Sequence, residues 1–243
     1  MRPLAQILLA CLTVLASGCG HLPGYPGNPI ERPAEVVDFT ALYSENCAAC
    51  HGANGKNGPA IDLANPEYQA LVDDASLRKW ISGGMPGTEM PAFAQSAGGM
   101  LTDAQVNVLI AGMRKRWSQP GVFAGAAPPP YAQTETGKPQ VGEQIYKARC
   151  SACHAPSHQQ ITGSEYLALA GDQALRSIIV AGRPDIGQPD WSHLGPGGKA
   201  APPLTAQDVN NIVAYLASLR GPASAQTATG ISTQPAPAAP RGR

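Results

Sequence analysis

The sequence predicts an all-α chain of two tandem small domains, each made of short helices joined by long loops. Three observations carry this. Cys47-Ala-Ala-Cys50-His51 recurs as Cys150-Ser-Ala-Cys153-His154, at an offset of 103 residues. Apolar residues recur at helical spacing in both copies, and no run alternates convincingly with period two. The 27 Gly and 24 Pro concentrate between the periodic stretches, so loops separate the helices.

The elements follow in chain order. Residues 1–18 read as an export signal of the bacterial lipoprotein kind. Arg2 supplies the positive start, Ile7 to Ala16 is an apolar run too short for a comfortable membrane span, and Ala16-Ser17-Gly18 leads into Cys19. Cys19 is therefore the expected lipid attachment site, on an acylated N-terminus that holds the protein on a membrane. Residues 19–33, rich in Pro and Gly, read as a tether.

The first domain is expected over 34–117 and the second over 141–220. In each, an apolar stretch ending in Tyr43 or Tyr146 leads into the Cys pair. Asp74 to Pro86 then aligns with Asp172 to Pro184 at an offset of 98, and Leu101-Thr102 aligns with Leu204-Thr205 at 103 again. One five-residue deletion and one compensating insertion account for the register. Asp73 to Trp80 and Gly171 to Ala181 predict short amphipathic helices. Thr102 and Thr205 predict N-caps of the last helices, which run to about Trp117 and Leu219. Residues 118–140, with Pro128-Pro129-Pro130, read as a semi-rigid linker, and residues 221–243 as a disordered tail.

Composition excludes several classes. Seventeen Lys and Arg balance seventeen Asp and Glu, which leaves no basic footprint for nucleic acid. Net charge is −3 over 34–117 and +1 over 138–220, so docking through a large basic ring is not supported. There is no Ser-His-Asp pattern, phosphate loop or paired-carboxylate signature.

Cys-x-x-Cys-His is the covalent attachment signal of a c-type haem. Two thiols add to the porphyrin vinyl groups, and the adjacent His reaches the iron as proximal ligand. A disulfide leaves the His after both pairs unexplained. A zinc ribbon needs its pairs much closer than the interval between Cys50 and Cys150. The expectation is two covalently bound haem c groups, on Cys47 and Cys50 with His51, and on Cys150 and Cys153 with His154.

On these motifs, with Gly58-Pro59 and with Ile81-x-x-Gly84-x-Pro86-Gly-Thr-x-Met90-Pro91-Ala92-Phe93, residues 34–220 resemble the class I cytochrome c family in its bacterial dihaem form. The resemblance implies two tandem cytochrome c domains. It also implies that Met90 is the sixth ligand of the first iron and that the Pro59 carbonyl accepts the second ring proton of His51. Met85, Met100 and Met113 are expected to pack.

The second copy departs from the family pattern. Gln188 stands opposite Met90, Trp191 opposite Phe93, and no Met follows Met113. His193, His158 and Lys199 are the candidate sixth ligands, with His193 favoured. An open or weakly ligated iron is the other outcome.

The expected function is single-electron transfer on the periplasmic side, by a protein lipid-anchored to a membrane. The donor would be a quinol-oxidising complex or a dehydrogenase, and the acceptor a terminal oxidase. The partners would be a membrane respiratory complex or soluble redox proteins. The alternatives are a dihaem redox enzyme, peroxidase-like or thiosulfate-oxidising, that uses an open second haem, or a haem-bearing subunit of a larger complex.

Overall fold

The structure, a computed structural model, describes residues 32–155, 160–193 and 201–221. Contacts divide the chain into a unit over 1–36, whose described part is the 3-10 turn Pro33–Glu35, and a unit over 37–243 that holds both repeats. The first repeat contains α1 (Phe39–Asn46), α2 (Ala48–His51), α3 (Pro66–Leu71), α4 (Asp74–Gly83) and α5 (Asp103–Trp117). The second contains α6 (Pro139–Arg149), α7 (Ser164–Leu169), α8 (Asp172–Ala181) and α9 (Ala206–Ser218). Among the described residues there is no strand, only the isolated bridges Ala94–Leu101 and Arg183–Gln188. The all-α expectation holds.

Local chemistry sets the helix ends. Asp38 accepts from the Ala41 N–H and Asp73 from the Ser76 N–H. Thr102 and Thr205 each close a capping box, with Gln105 and Asp208 three residues on, as their spacing predicts. Such caps contribute about 1 kcal/mol each.

In each repeat the first helix crosses the last through one small and one large residue, and the roles are exchanged. Phe39 on α1 lies against Gly112 on α5, where a Cβ would fall 2.0 Å from the ring. At the same two repeat positions, Gly142 on α6 lies against α9 beneath Tyr215, where a Cβ would fall 1.9 Å from the Asn211 carbonyl. Close-packed interiors accept such volume-conserving exchanges. Around Phe39 the first repeat adds an aromatic cluster, with Tyr43 stacked at 5.5 Å and the edge of Trp117 at 5.9 Å. Below these crossings, Val106, Leu109 and Ile110 of α5 and Val209, Ile212 and Leu216 of α9 are buried.

An arginine locks each repeat. Arg114 donates to the Gln69 and Val72 carbonyls and to the Asp74 carboxylate. Arg220 does the same with the Leu167 and Ala170 carbonyls and Asp172, all at matching positions. The two arginines themselves do not align: Ala217 holds the Arg114 position, and Arg220 reaches the same groups from three residues later.

The helices also locate the deletion. Over α3 and α4 the second repeat runs 98 residues behind the first, so the five missing residues lie between His154 and Ser164. The first repeat therefore has a longer loop, 52–65, immediately after its histidine. Buried Asn65 closes that loop. It caps α3 through the Glu67 N–H and donates to the Ala181 and Gly182 carbonyls at the end of α8, at 2.7 and 3.3 Å.

Residues 118–140, expected to be a linker, are strapped to both repeats. The Tyr131 hydroxyl accepts from the Trp80 indole, while its carbonyl accepts from Gln173 and Arg176. Pro128 to Pro130 line a groove with Trp191, Pro203 and Leu204. The end of the expected linker is already helix, since α6 begins at Pro139. The expected signal, the tether up to residue 31 and the tail from residue 222 lie outside the described residues.

Candidate haem sites

Both Cys-x-x-Cys-His segments fold as one helical turn. The His51 N–H donates to the Cys47 carbonyl at 3.0 Å, and the His154 N–H to the Cys150 carbonyl at 2.9 Å. The two thiols of each segment therefore stand one turn apart, with the imidazole on the next residue. All four are free thiols; Cys50 and Cys153 are exposed, Cys47 and Cys150 half-buried. Burial, reinforced by Cys50, pushes the Cys47 thiol up to about 12. Burial pushes Cys150 up to about 11. Burial therefore keeps both as neutral thiols at neutral pH.

Burial holds the His51 ring below its ordinary range, so it stays neutral and able to ligate. Its Nδ1 donates at 2.9 Å to the carbonyl of Ile61, which leaves Nε2 for iron. This corrects the expected role of Pro59. The loop is fixed by the Ala60 N–H donating to the Cys50 carbonyl at 2.9 Å, and the carbonyl of the following residue, Ile61, turns to the ring. Gly58 passes so close that a Cβ would fall 2.3 Å from the Cys50 carbonyl. In the second repeat the Tyr146 hydroxyl donates to the His154 carbonyl at 3.2 Å, as Tyr43 does to Gly52 at 2.9 Å.

The segments expected to face the irons on the opposite side have one backbone in both repeats. Gly84 and Gly182 follow α4 and α8 with φ of +69° and +71°. A Cβ on Gly84 would meet the Met90 carbonyl, Pro91 and the Ala92 nitrogen; on Gly182 it would meet the Gln188 carbonyl, Pro189 and the Asp190 nitrogen. The Met85 N–H donates to the Met90 carbonyl at 3.0 Å, and the Arg183 N–H to the Gln188 carbonyl at 2.9 Å. Gln188 thus occupies the Met90 position in space as well as in sequence.

The side chains differ. Half-buried Met90 presents a thioether, with its N–H tied to the Thr88 hydroxyl at 3.2 Å. Gln188 donates instead to the Ile178 carbonyl, back onto α8. Met113 is buried in α5 as expected; Met100, expected to pack, is 80% exposed.

His193 lies past the shared backbone, where the second repeat carries its insertion between Trp191 and Leu204. Its ring is 74% exposed, and Nδ1 sits 2.7 Å from the Asp190 carboxylate, which raises its pKa. Burial works against the Asp190 charge, but hydrogen bonds from Ser192 and His193 outweigh it and leave the carboxyl below its ordinary range. Beside them, burial and the Asp190 charge push Glu67 up to about 7. A carboxylate on Nδ1 is the usual support of a ligating histidine. Cys19, His158 and Lys199 lie outside the described residues.

Two further residues escaped the sequence reading. Arg183, at the Met85 position, and Asp185 form a buried pair reaching the 57–60 loop of the first repeat. The only signal was a charged Arg-Pro-Asp where the first repeat has Met-Pro-Gly.

Known proteins resemble both repeats. Residues 34–111 match the family model described as cytochrome c oxidase, cbb3-type, subunit III, and residues 140–220 match that described as cytochrome c. A CcoP subunit of cbb3-type cytochrome c oxidase from Azospirillum sp. is 29% identical over 182 residues, 68% of this chain and 52% of that protein. A dihydro-heme d1 dehydrogenase from Pseudomonas aeruginosa is 30% identical over 137 residues, 53% of this chain and 25% of that protein. The chain thus spans a quarter to a half of the length of these curated relatives. A solved Kuenenia stuttgartiensis reducing HAO-like protein complex has a chain 18% identical, with 75% of this chain and 96% of that one covered at a TM-score of 0.40. Among the described residues no helix is long and apolar enough to cross a membrane.

Proposed function

Since this chain belongs to the class I c-type cytochrome family, whose domains carry covalently bound haem c in electron transfer, we propose that it is a dihaem cytochrome tethered to a membrane by lipid on Cys19. It relays single electrons from a respiratory donor, a quinol-oxidising complex or a dehydrogenase, to an acceptor such as a terminal oxidase. The observation that carries this reading is the repeated turn that sets two thiols and one imidazole together at both ends of the chain's core. One haem would sit in each of two domains, over 34–117 and 141–220. The oxidase-subunit relative favours a membrane respiratory oxidase complex as partner.

Bound haem supplies the one-electron couple; the residues set its level. His51 and Met90 would be the ligands of the first iron. A neutral thioether favours Fe(II), so this haem is the high-potential one. His154 would hold the second iron, and His193, with Asp190 on its Nδ1, would supply the other protein ligand. Were the exposed His193 ring to stay in solvent, that haem would keep a position without a protein ligand. This favours a second reading, a redox enzyme that uses the second haem. Pyridine haemochrome analysis with EPR of the oxidised full chain tests the first reading: two haems per chain are expected, and a single haem would overturn it. Carbon monoxide binding to the reduced protein, together with peroxide consumption, would instead favour the enzyme.

A further inference from the structure

The loop that orients His51 is held from the second repeat. Arg183 forms a fork on Asp185, with Nε and Nη2 each 2.8 Å from a carboxylate oxygen. The guanidinium also donates to the Ala60 carbonyl at 2.8 Å and the Gly58 carbonyl at 3.0 Å. Asp185 accepts from the Asn57 N–H at 2.8 Å. The two side chains are 7% and 1% exposed. Three backbone groups of the loop are thus satisfied by one ion pair, and the next carbonyl, that of Ile61, receives the His51 proton. The matching loop of the second repeat is five residues shorter, and among the described residues no such clamp runs in the other direction.

Arg183 belongs to the opposite-face segment of the second repeat. Its own N–H fixes the Gln188 carbonyl, at the position matching Met90. One residue therefore joins the segment that matches the Met90 segment in one repeat to the histidine loop of the other. Mere cohesion is a poor account of the pair, because a buried ion pair is weak evidence for stability and apolar residues of similar volume often do as well. Its fork geometry suits the fixing of planar acceptors.

We propose that Arg183 and Asp185 are positioning residues for the axial histidine of the first haem, holding the Ile61 carbonyl on His51 and so making that haem's potential depend on the docked second repeat. This rests on the reading that each repeat carries a haem. A carbonyl on Nδ1 makes the imidazole a stronger donor and favours Fe(III). Loosening the clamp weakens that bond and raises the first haem's potential.

The test uses the full holo-protein and the double variant Arg183→Gln/Asp185→Asn, which removes one charge of each sign and leaves net charge unchanged. Arg176→Gln serves as the control. Arg176 is a buried arginine that grips Pro130, Tyr131 and Asn210 and does not touch the loop. Haem content is measured first; fewer than two haems in the unaltered protein would sink the dihaem reading rather than the clamp. With two haems bound, the double variant is expected to show an upward shift of the methionine-ligated haem. The His51 Nδ1 proton should also exchange faster by NMR, and the control should move neither. An unchanged potential and unchanged exchange in the double variant would overturn the proposal. If that variant fails to mature, Arg183→Lys is read by the same two measurements. The three donors of an ammonium sit on one atom and cannot replace the four-bond fork spread over Nε, Nη1 and Nη2, so an unshifted lysine variant overturns the proposal equally.

Discussion

The two repeats share a backbone and differ in what hangs from it. Gly84 and Gly182 make the same turn, and the same N–H to carbonyl bond closes each opposite-face segment. Yet the closed position carries Met90 in one and Gln188 in the other, and the residue that closes it is Met85 in one and Arg183 in the other. Backbone geometry is thus conserved across the duplication, while ligand chemistry and docking chemistry are carried by single side chains. The second repeat carries Gln188 where the first has Met90, and its loop after the histidine is five residues shorter. The longer loop of the first repeat is where the second repeat grips.

The largest expected effect tests the ligand difference directly. Met90→Ala should abolish the long-wavelength methionine-to-iron band and lower the first haem's potential by about a few tenths of a volt, within the roughly 0.8 V that axial ligands command. Gln188→Met should do the reverse at the second haem, because its backbone already matches. Redox titration monitored optically reads both. No gain of the methionine band in Gln188→Met would show that the shared backbone is not sufficient.

The docking difference should appear next. Asn65→Ala removes a buried amide that serves the starts of α3 and the end of α8 together. It should destabilise the chain by about 1–3 kcal/mol in urea unfolding. A value near zero would mean that the repeats do not stabilise each other there. Where the repeats agree, substitutions should agree as well. Thr102→Ala and Thr205→Ala each remove a capping box and should each lose about 1 kcal/mol.

The smallest effect is in the acid limb. The Arg183 hydrogen bond holds the Asp185 carboxyl below its ordinary range. A depressed carboxylate contributes stability that is present above its unfolded pKa and is lost as pH falls through the folded one. Asp185→Asn should therefore flatten the loss of stability from about pH 5 downwards, measured as urea midpoint against pH. An unchanged acid slope would show that the pair does not couple to folding.

The parts of this that were legible in the sequence were those fixed by local chemistry. Thr102 and Thr205 announced their helices, the Cys-x-x-Cys-His turns announced themselves, and Gln188 opposite Met90 could be read from the offset of 98. What escaped depended on loop paths. The Ile61 carbonyl, not that of Pro59, meets His51, because the Ala60 N–H ties the loop to Cys50 and sets which carbonyl turns inward. Arg114 and Arg220 clamp matching carbonyls from unaligned positions, since a residue a turn later can reach the same groups. Tyr131 looked like part of a spacer, because nothing local records that Trp80 and Arg176 will flank it. Arg183 drew no reading from the sequence because its partners are carbonyls more than 120 positions away.

The central claim is that one backbone, used twice, holds two haems in different ligand fields. Spectropotentiometric titration of the full holo-protein, with EPR of the oxidised state, tests it most directly. The account predicts two haems per chain, two separate one-electron waves, and a methionine band that follows only the higher one. A single haem, or one ligand signature shared by both waves, would contradict it.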